Sequence, residues 1–205
     1  MTYNNLSNNP HERSRVTYAH VYWDGLFTDE ELDKIIEISE RQELVPGKTG
    51  GAGEGEISDV RVSKIAFVTC NPDTQWIYDK LNWVIGTVND RYYNFNLNGY
   101  STYQYGTYDS DHAAQYNWHM DTFFGPIAEQ LNAENETRKL SLSLMLNDGF
   151  EGGEFQMNTG GNSETIEMKK GRILLFPSFV IHRVTPVTSG IRKSLVVWVT
   201  GPKFV

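Results

Sequence analysis

The stretch RILLFPSFVIHRVTPVTSGIRKSLVVWVT, residues 172–200, decides the fold class. Its apolar runs Arg172–Phe176, Val180–Thr185 and Ile191–Thr200 are rich in β-branched and aromatic residues, which favour strands. Proline, serine and glycine separate the runs, and these residues are typical of turns. The stretch therefore predicts three successive short strands.

The same pattern extends back to about residue 96, where short apolar runs alternate with Gly, Asn, Asp and Pro. The further predicted strands are Tyr100–Tyr108, Gln115–Met120, Lys139–Leu146, Glu154–Met157 and Ser163–Met168. Short strands with turn signals about every ten residues are typical of a β-sandwich or a jelly roll.

Helical patterns lie in the first half of the chain. Thr28 and Glu31 form a capping box, which predicts a helix over Asp29–Glu43. Asn71-Pro72-Asp73 predicts the start of a second helix, and Val16–Trp23 and Val60–Thr69 predict strands. We expect an α+β protein with a flexible arm over 1–15, then one domain over 16–205, helical to about 95 and a jelly-roll body over about 96–205.

Composition limits the partners. A formal charge of −8 over 205 residues argues against a nucleic-acid partner, which usually meets a basic surface. The single cysteine, Cys70, excludes an intrachain disulfide and a Cys-rich zinc module. No signal-peptide pattern and no membrane-length apolar run is visible, so we expect a cytoplasmic protein without membrane contact.

His119 and Asp121 are the first candidate metal ligands. Because side chains alternate along a strand, residues two apart project from the same face and can chelate one ion. The alternative is a hydrogen-bonded pair at a strand end.

His182 and Arg192 flank the turn sequence Pro186–Gly190, which predicts a hairpin that brings them together on one face. Arg192 shares its strand face with Ser194, Val196 and Trp198, and an arginine on such a face is costly unless it meets an anion. A guanidinium beside a hydroxyl suits a carboxylate. The alternative is a surface arginine on an exposed strand.

Two histidines and one carboxylate are the set that holds non-haem Fe(II) with open coordination positions. The same set also suits Zn²⁺ in a hydrolase, and a non-catalytic jelly-roll binding module is a third interpretation. The zinc hydrolase gives Arg192 no role, and the binding module needs no complete ligand set.

At this point the chain resembles the Fe(II)- and 2-oxoglutarate-dependent dioxygenases, in particular their prolyl 4-hydroxylase-like branch. The resemblance rests on segments in order along most of the chain after Trp23: 59–63, 103–121, 138–141, 151–155, 171–178, 182–187 and 190–198. It implies a double-stranded β-helix core with supporting N-terminal helices. It also implies hydroxylation of an unactivated C–H bond, most often of a peptidyl proline, with release of succinate and CO₂. A free amino acid or a small metabolite is the alternative substrate.

The resemblance further implies Fe(II), 2-oxoglutarate and O₂ as cofactors, with ascorbate as reductant, and a peptide, protein or small molecule as substrate. His119, Asp121 and His182 resemble the iron ligands, and Arg192 with Ser194 resembles the group that holds the distal carboxylate of 2-oxoglutarate. Tyr103 stands where the family often has a tyrosine that contacts 2-oxoglutarate, and the alternative is an ordinary core tyrosine.

One position departs from the family. A tyrosine that helps the arginine in some members corresponds to Met145 here, and methionine cannot donate a hydrogen bond. At the substrate entrance we expect Arg61, Tyr105, Tyr116 and Trp198. The Gly47–Gly55 loop and the segment Thr122–Thr137 are candidate covers, and the alternative for the glycine loop is a plain connector.

Overall fold

A computed structural model describes residues 18–47, 60–122 and 136–204. The predicted arm over 1–15, the Gly47–Gly55 loop after Gly47, and residues 123–135 lie outside the described residues. The helices are α1 (Asp29–Glu40) and α2 (Gln75–Val88), with a π-helical turn over Asn89–Tyr93 and a 3₁₀ turn over Ser110–His112. The strands are β1 (Val21–Trp23), β2 (Val45–Pro46), β3 (Arg61–Val62), β4 (Lys64–Thr69), β5 (Thr102–Asp109), β6 (Gln115–His119), β7 (Glu136–Met145), β8 (Glu151–Gly152), β9 (Phe155–Asn158), β10 (Ser163–Ile166), β11 (Ile173–Pro177), β12 (Ile181–Val184), β13 (Val187–Ser189) and β14 (Ile191–Pro202).

Helix α1 begins where the sequence predicts. The Glu31 N–H donates to Thr28 Oγ1 at 3.3 Å, and the Thr28 N–H donates to the Glu31 carboxylate at 2.9 Å, so both halves of the capping box are present. The helix ends at Glu40 rather than Glu43, because the Gln42 N–H bonds to the Ser39 carbonyl and closes the last turn.

Helix α2 begins at Gln75, later than Asn71-Pro72-Asp73 predicts. Side-chain hydrogen bonds hold the preceding residues in a turn: the Asn71 N–H donates to Thr74 Oγ1, and the Asp73 N–H donates to Asn71 Oδ1, both at 2.9 Å. Such bonds compete with helix formation. The apolar stripe of the helix is nevertheless buried as predicted, with Ile77, Leu81 and Val84 fully enclosed.

The described strands form two large antiparallel sheets and one two-stranded sheet, which confirms the α+β jelly-roll prediction. The major sheet has the order β1-β11-β7-β14-β5-β4-β2, the minor sheet has the order β10-β9-β12-β6-β3, and β13 pairs with β8. The single strand predicted over Val60–Thr69 is wrong, because Arg61 pairs with Tyr116 of the minor sheet whereas Lys64 pairs with Thr107 of the major sheet.

The major sheet has a different environment on each face. On β7, Leu140, Leu142 and Leu144 pack in a core with α1 and α2, while Ser141 and Ser143 project from the opposite face, as the pleat requires. A second core lies between the two sheets and includes Phe155, Leu174 and Phe176. The face that carries the two serines therefore borders the space between the sheets.

The predicted hairpin between His182 and Arg192 is wrong. His182 lies on β12 in the minor sheet and Arg192 on β14 in the major sheet, because β13 leaves both and pairs with β8. The two residues still approach one another, since their strands face each other across the interior. No helix within the described ranges is long and apolar enough to cross a membrane.

A buried arginine ties the first strand to the sheet. Arg172, beside β11, donates from Nε and Nη2 to the two carboxylate oxygens of Asp24, beside β1, at 2.8 and 2.9 Å. These bonds lower the pKa of Asp24 from 3.8 to about 2. Asp24 thus contributes stability above the unfolded-state pKa, and this contribution is lost as pH falls through the range between the two values.

We expect Asp24→Asn to lower the free energy of unfolding by about 1 kcal/mol at pH 7, since the pair is partly exposed. The difference in Tm from the wild type should shrink as pH falls from 4 towards 2, and thermal unfolding followed by circular dichroism measures it. Asp73→Asn, at an exposed turn, is the control. An Asp24→Asn protein with wild-type Tm at pH 7 would contradict the expectation.

Candidate active site

Three side chains with metal-binding atoms meet between the sheets. One such atom each from His119, Asp121 and His182 lies within 4.8 Å of the other two. His119 and His182 are directly opposed on the paired strands β6 and β12, and Asp121 follows the end of β6. The Nε2 atoms of both histidines lie 3.7 Å from a carboxylate oxygen of Asp121.

Hydrogen bonds set the orientation of both imidazoles. Nδ1 of His119 lies 2.7 Å from the Asn117 carbonyl, and Nδ1 of His182 lies 2.9 Å from the Val180 carbonyl. A carbonyl only accepts, so each Nδ1 carries the proton and each Nε2 keeps its lone pair for a metal. Burial lowers the pKa of His119 to about 3, which keeps this imidazole in the neutral, metal-binding form.

Asp121 is held by two serines. Ser141 Oγ donates to Asp121 Oδ2 at 2.6 Å and lies 2.9 Å from Ser178 Oγ, while the Asp121 N–H donates to the Ser178 carbonyl at 2.8 Å. Burial raises the pKa of Asp121, but the neighbouring imidazoles, Arg138 and the Ser141 hydroxyl outweigh it and leave the pKa below its usual value. The carboxylate is therefore ionised and fixed in position.

Arg192 is the most unusual buried group. Its side chain is 1% exposed, and Nη1 donates to Ser194 Oγ at 3.2 Å. Nε and Nη2 are buried without a hydrogen-bond partner among the described residues. Leaving such donors unpaired costs about 1–3 kcal/mol or more, and a carboxylate can accept from two guanidinium N–H groups at once. The geometry therefore fits an anionic ligand.

One narrow cavity, the triad cavity, connects the three ligand residues to Arg192. Its lining includes Gln104, Tyr108, Ser143, Phe155, Phe176, Val184, Ser194 and Val196. Two imidazole nitrogens and one carboxylate oxygen form a donor set that suits Fe(II), and the unpaired guanidinium donors suit the far carboxylate of a dicarboxylate co-substrate. The residues present therefore fit both groups.

Three residues expected at the entrance do line the triad cavity. Tyr116 stacks on His119 with ring centroids 3.5 Å apart, and the Arg61 guanidinium lies over Tyr116 at 4.6 Å. Trp198 also lines the cavity, and the Arg138 guanidinium lies 4.1 Å from its ring centroid. Arg61 additionally borders a second cavity, of about 380 Å³.

Tyr103 and Tyr105 are placed differently from the sequence prediction. Both project to the helix side of β5, where the Tyr103 hydroxyl lies 3.2 Å from Ser39 Oγ and Tyr105 donates to Glu40 at 2.8 Å. Neither lines the triad cavity, because the pleat directs Gln104 and Tyr108 towards it instead. Tyr108 lies near the Arg192 guanidinium, at 5.4 Å, and Met145 is buried outside the cavity lining.

Sequence reasoning missed the supporting polar groups. Ser141 and Ser143 alternate with leucines on β7, and Gln104 lies between two tyrosines on β5. Polar residues at alternate positions of a buried strand indicate a polar cavity on that face, so the signal was present in the sequence. Arg138, beside Trp198, belongs to the same missed group.

Comparison with known proteins agrees with this geometry. Residues 103–200 match the 2OG-Fe(II) oxygenase superfamily. This segment is a 2OG-Fe(II) oxygenase domain. The resemblance seen in the sequence is thereby confirmed, and the domain contains all three ligand residues and Arg192.

Relatives and solved structures extend the likeness. A PKHD-type hydroxylase of Synechococcus sp. (strain CC9605) is 36% identical over 87 residues, which are 41% of this chain and 36% of that protein. A PKHD-type hydroxylase of Hyphomonas neptunium is 35% identical over 86 residues, again 41% of this chain and 37% of the relative. The matches thus span little more than a third of the length of these relatives.

The fold is shared more widely than the sequence. A Pseudomonas putida prolyl-4-hydroxylase has a TM-score of 0.70 at 19% identity, covering 91% of this chain and 95% of that one. A viral collagen prolyl hydroxylase from Paramecium Bursaria Chlorella virus-1 has a TM-score of 0.68 at 18% identity, covering 90% and 97%. Both confirm the jelly-roll fold with its two helices.

We expect Ser141→Ala to weaken Co(II) binding about 10–100-fold, because Asp121 loses the hydrogen bond that orients it. Titration of the visible Co(II) absorption measures the affinity. Ser143→Ala, a serine that lines the same cavity, is the matched control and should bind Co(II) like the wild type. Equal affinities for Ser141→Ala and Ser143→Ala would show that the serine contact does not support the metal site.

Proposed function

We propose that this chain is an Fe(II)- and 2-oxoglutarate-dependent oxygenase that hydroxylates a peptidyl proline and releases succinate and CO₂. In this proposal His119, Asp121 and His182 are the iron ligands. Arg192 and Ser194 hold the distal carboxylate of 2-oxoglutarate. Fe(II) bound with 2-oxoglutarate and O₂ supplies the C–H oxidation, and ascorbate keeps the metal reduced.

The observation that carries the proposal is the pair of unpartnered donors on Arg192. A buried guanidinium with free Nε and Nη2, in the same cavity as a two-histidine, one-carboxylate set, supports a dicarboxylate that reaches from the metal to the arginine. A zinc hydrolase gives these donors no purpose, and a binding module gives none to the fixed tautomers and the serine-held carboxylate.

The protein's own groups perform four tasks. The Nε2 atoms of His119 and His182 and the Asp121 carboxylate direct their lone pairs into the cavity. The imidazoles are already in the Nδ1–H tautomer and the carboxyl group is already ionised, so no proton has to move before a metal binds. Ser194, which accepts from Arg192, fixes the guanidinium. Phe155 and Phe176 pack beside His182 and exclude water from that side. Tyr116 and Trp198 lie at the cavity wall, where the substrate would contact the site.

The substrate assignment is supported by the solved structures that share this fold. Several of the similar solved structures are described as prolyl hydroxylases, and one of these, from Trichoplax adhaerens, was solved in complex with a peptide fragment of hypoxia inducible factor. These descriptions concern those proteins. That this chain also acts on a peptidyl proline is our proposal. The alternative remains the same chemistry on a free amino acid or a small metabolite.

Anaerobic titration of the Fe(II)-loaded protein with 2-oxoglutarate tests the proposal, because chelation of ferrous iron by its keto acid gives a visible charge-transfer band. We expect the band in the wild type and its loss in His119→Ala. We expect Arg192→Ala to raise the Kd for 2-oxoglutarate about tenfold or more while Fe(II) binding is retained, since two charge-assisted hydrogen bonds are lost.

Arg183→Ala is the matched control, because Arg183 lies one residue after His182 but packs over Trp118 and bonds to Gln156 outside the cavity. Ser194→Ala should weaken 2-oxoglutarate less than Arg192→Ala does. A folded, Fe(II)-loaded wild type without the band would refute the oxygenase proposal. Equal loss of iron and 2-oxoglutarate in Arg192→Ala would reassign that residue to the metal site.

A further inference from the structure

A third depression, the outer groove, lies beside the triad cavity and has a volume of about 560 Å³. Phe67, Ser101, Thr102, Glu136 and Thr200 line it, together with Trp198. These residues come from β4, β5, β7, β14 and the segment before β5, so the groove lies on the major sheet. None of the roles described above uses it.

The outer groove and the triad cavity share one lining side chain. Trp198 lines both, and Arg138, which lies over the Trp198 ring at 4.1 Å, also lines the outer groove. Trp198 and Thr200 have the same parity on β14 as Arg192 and Ser194, so both depressions are on the same face of the sheet. A molecule that reaches the triad past Trp198 therefore has the outer groove beside it.

The sizes of the two spaces limit the substrate. The triad cavity measures only about 40 Å³, so most of any substrate remains outside it. The outer groove, at about 560 Å³, is within the ~300–1,000 Å³ range of pockets that accept ligands much larger than one amino acid. A free amino acid would fill only a small part of it.

The lining has the chemistry of a peptide-binding surface. Asn98, Ser101 and Thr102 can both donate and accept hydrogen bonds, as the N–H and C=O of each peptide group require. Phe67, which is 53% exposed, adds an apolar surface. An indole N–H of Trp198, buried without a partner among the described residues, adds a donor at the shared wall.

The charges in the groove are balanced and partly fixed. Asn98 Nδ2 donates to Glu136 Oε1 at 2.5 Å, and Thr200 Oγ1 donates to Glu136 Oε2 at 2.9 Å. Arg138 contributes one positive charge near Trp198. One charge of each sign favours an uncharged segment over a strongly acidic or basic one.

We propose that the outer groove binds the uncharged polypeptide segment that flanks the hydroxylated residue, so that the substrate is an extended chain and not a free amino acid. This inference rests on the proposed function. It assigns Phe67, Ser101 and Thr102 to substrate binding, with Trp198 at the junction between the flanking segment and the target residue.

Calorimetric titration of the protein loaded with Mn(II) and 2-oxoglutarate tests the proposal without turnover. The probes are N-acetylprolinamide and an uncharged nonapeptide with blocked ends and a central proline between alanines, serines and glycines. We expect the nonapeptide to bind about tenfold tighter than the amide or more. We expect Phe67→Ala and Ser101→Arg each to weaken the nonapeptide about fivefold or more, with the amide unchanged.

Trp83→Ala is the matched control, because Trp83 is also an aromatic residue 53% exposed, but it lies on α2. It should bind both probes like the wild type. Three results would each overturn the proposal. The first is equal affinity of the wild type for the nonapeptide and the amide, the second is no binding of the nonapeptide, and the third is wild-type affinity for the nonapeptide in both groove variants. Phe67 and Ser101 are exposed, so these variants should fold, and circular dichroism checks this.

The two proposals fail in distinguishable ways. Absence of the charge-transfer band in the Fe(II)-loaded wild type counts against the oxygenase itself. A normal band in the wild type, in Phe67→Ala and in Ser101→Arg, together with unchanged nonapeptide binding, counts against the outer groove alone.

Discussion

The pleat of the major sheet is the constraint on which the rest of the structure depends. Along β5, β7 and β14 alternate side chains enter two different environments: an apolar core with α1 and α2 on one side, and on the other a cavity that contains charged and polar groups among apolar ones. Burial of the apolar face stabilises the sheet, and this stabilisation offsets the free-energy cost of burying charged groups on the opposite face. Because the period is two, a shift of register by one residue would exchange Arg192 and Ser194 for apolar Leu195 and charged Lys193.

The electrostatics of the site follow from this arrangement. Asp121 and Arg192 are both buried on the cavity side, yet they are supported differently. Asp121 accepts from a serine and lies beside two imidazoles, whereas Arg192 keeps donors that no described residue satisfies. The charge of Asp121 is thus balanced within the protein, whereas in our proposal a ligand balances the charge of Arg192. The unpaired Nε and Nη2 donors of Arg192 are therefore available to a ligand, and leaving them unpaired lowers the stability of the ligand-free protein.

Much of this arrangement could be predicted from the sequence. The capping box fixed the start of α1, the apolar runs gave most strands to within a few residues, and residues spaced by two on β14 were placed correctly on one face. The sequence could not show that Tyr103 and Tyr105 face the helices, because tyrosines occur on both faces of β5, at 103, 105 and 108, and hydrophobicity does not distinguish the two faces. The hairpin prediction failed because β13 pairs with β8, a strand of two residues that no periodicity reveals. The hydroxyls of Ser141 and Ser178, 37 residues apart, could be joined only by the fold.

The pairing of His119 with His182 has a further consequence, for folding. These residues stand opposite one another on β6 and β12, at a point where the strand register shifts before Val184. An ion held by both would link the two strands and the residue after β6, and it would bind the folded chain but not the unfolded one. By mass action, an ion present at a hundred times its Kd adds about 2.7 kcal/mol to the free energy of unfolding. The catalytic metal would then also be a structural cross-link of the minor sheet, and loss of the ion would loosen the sheet at its irregular register.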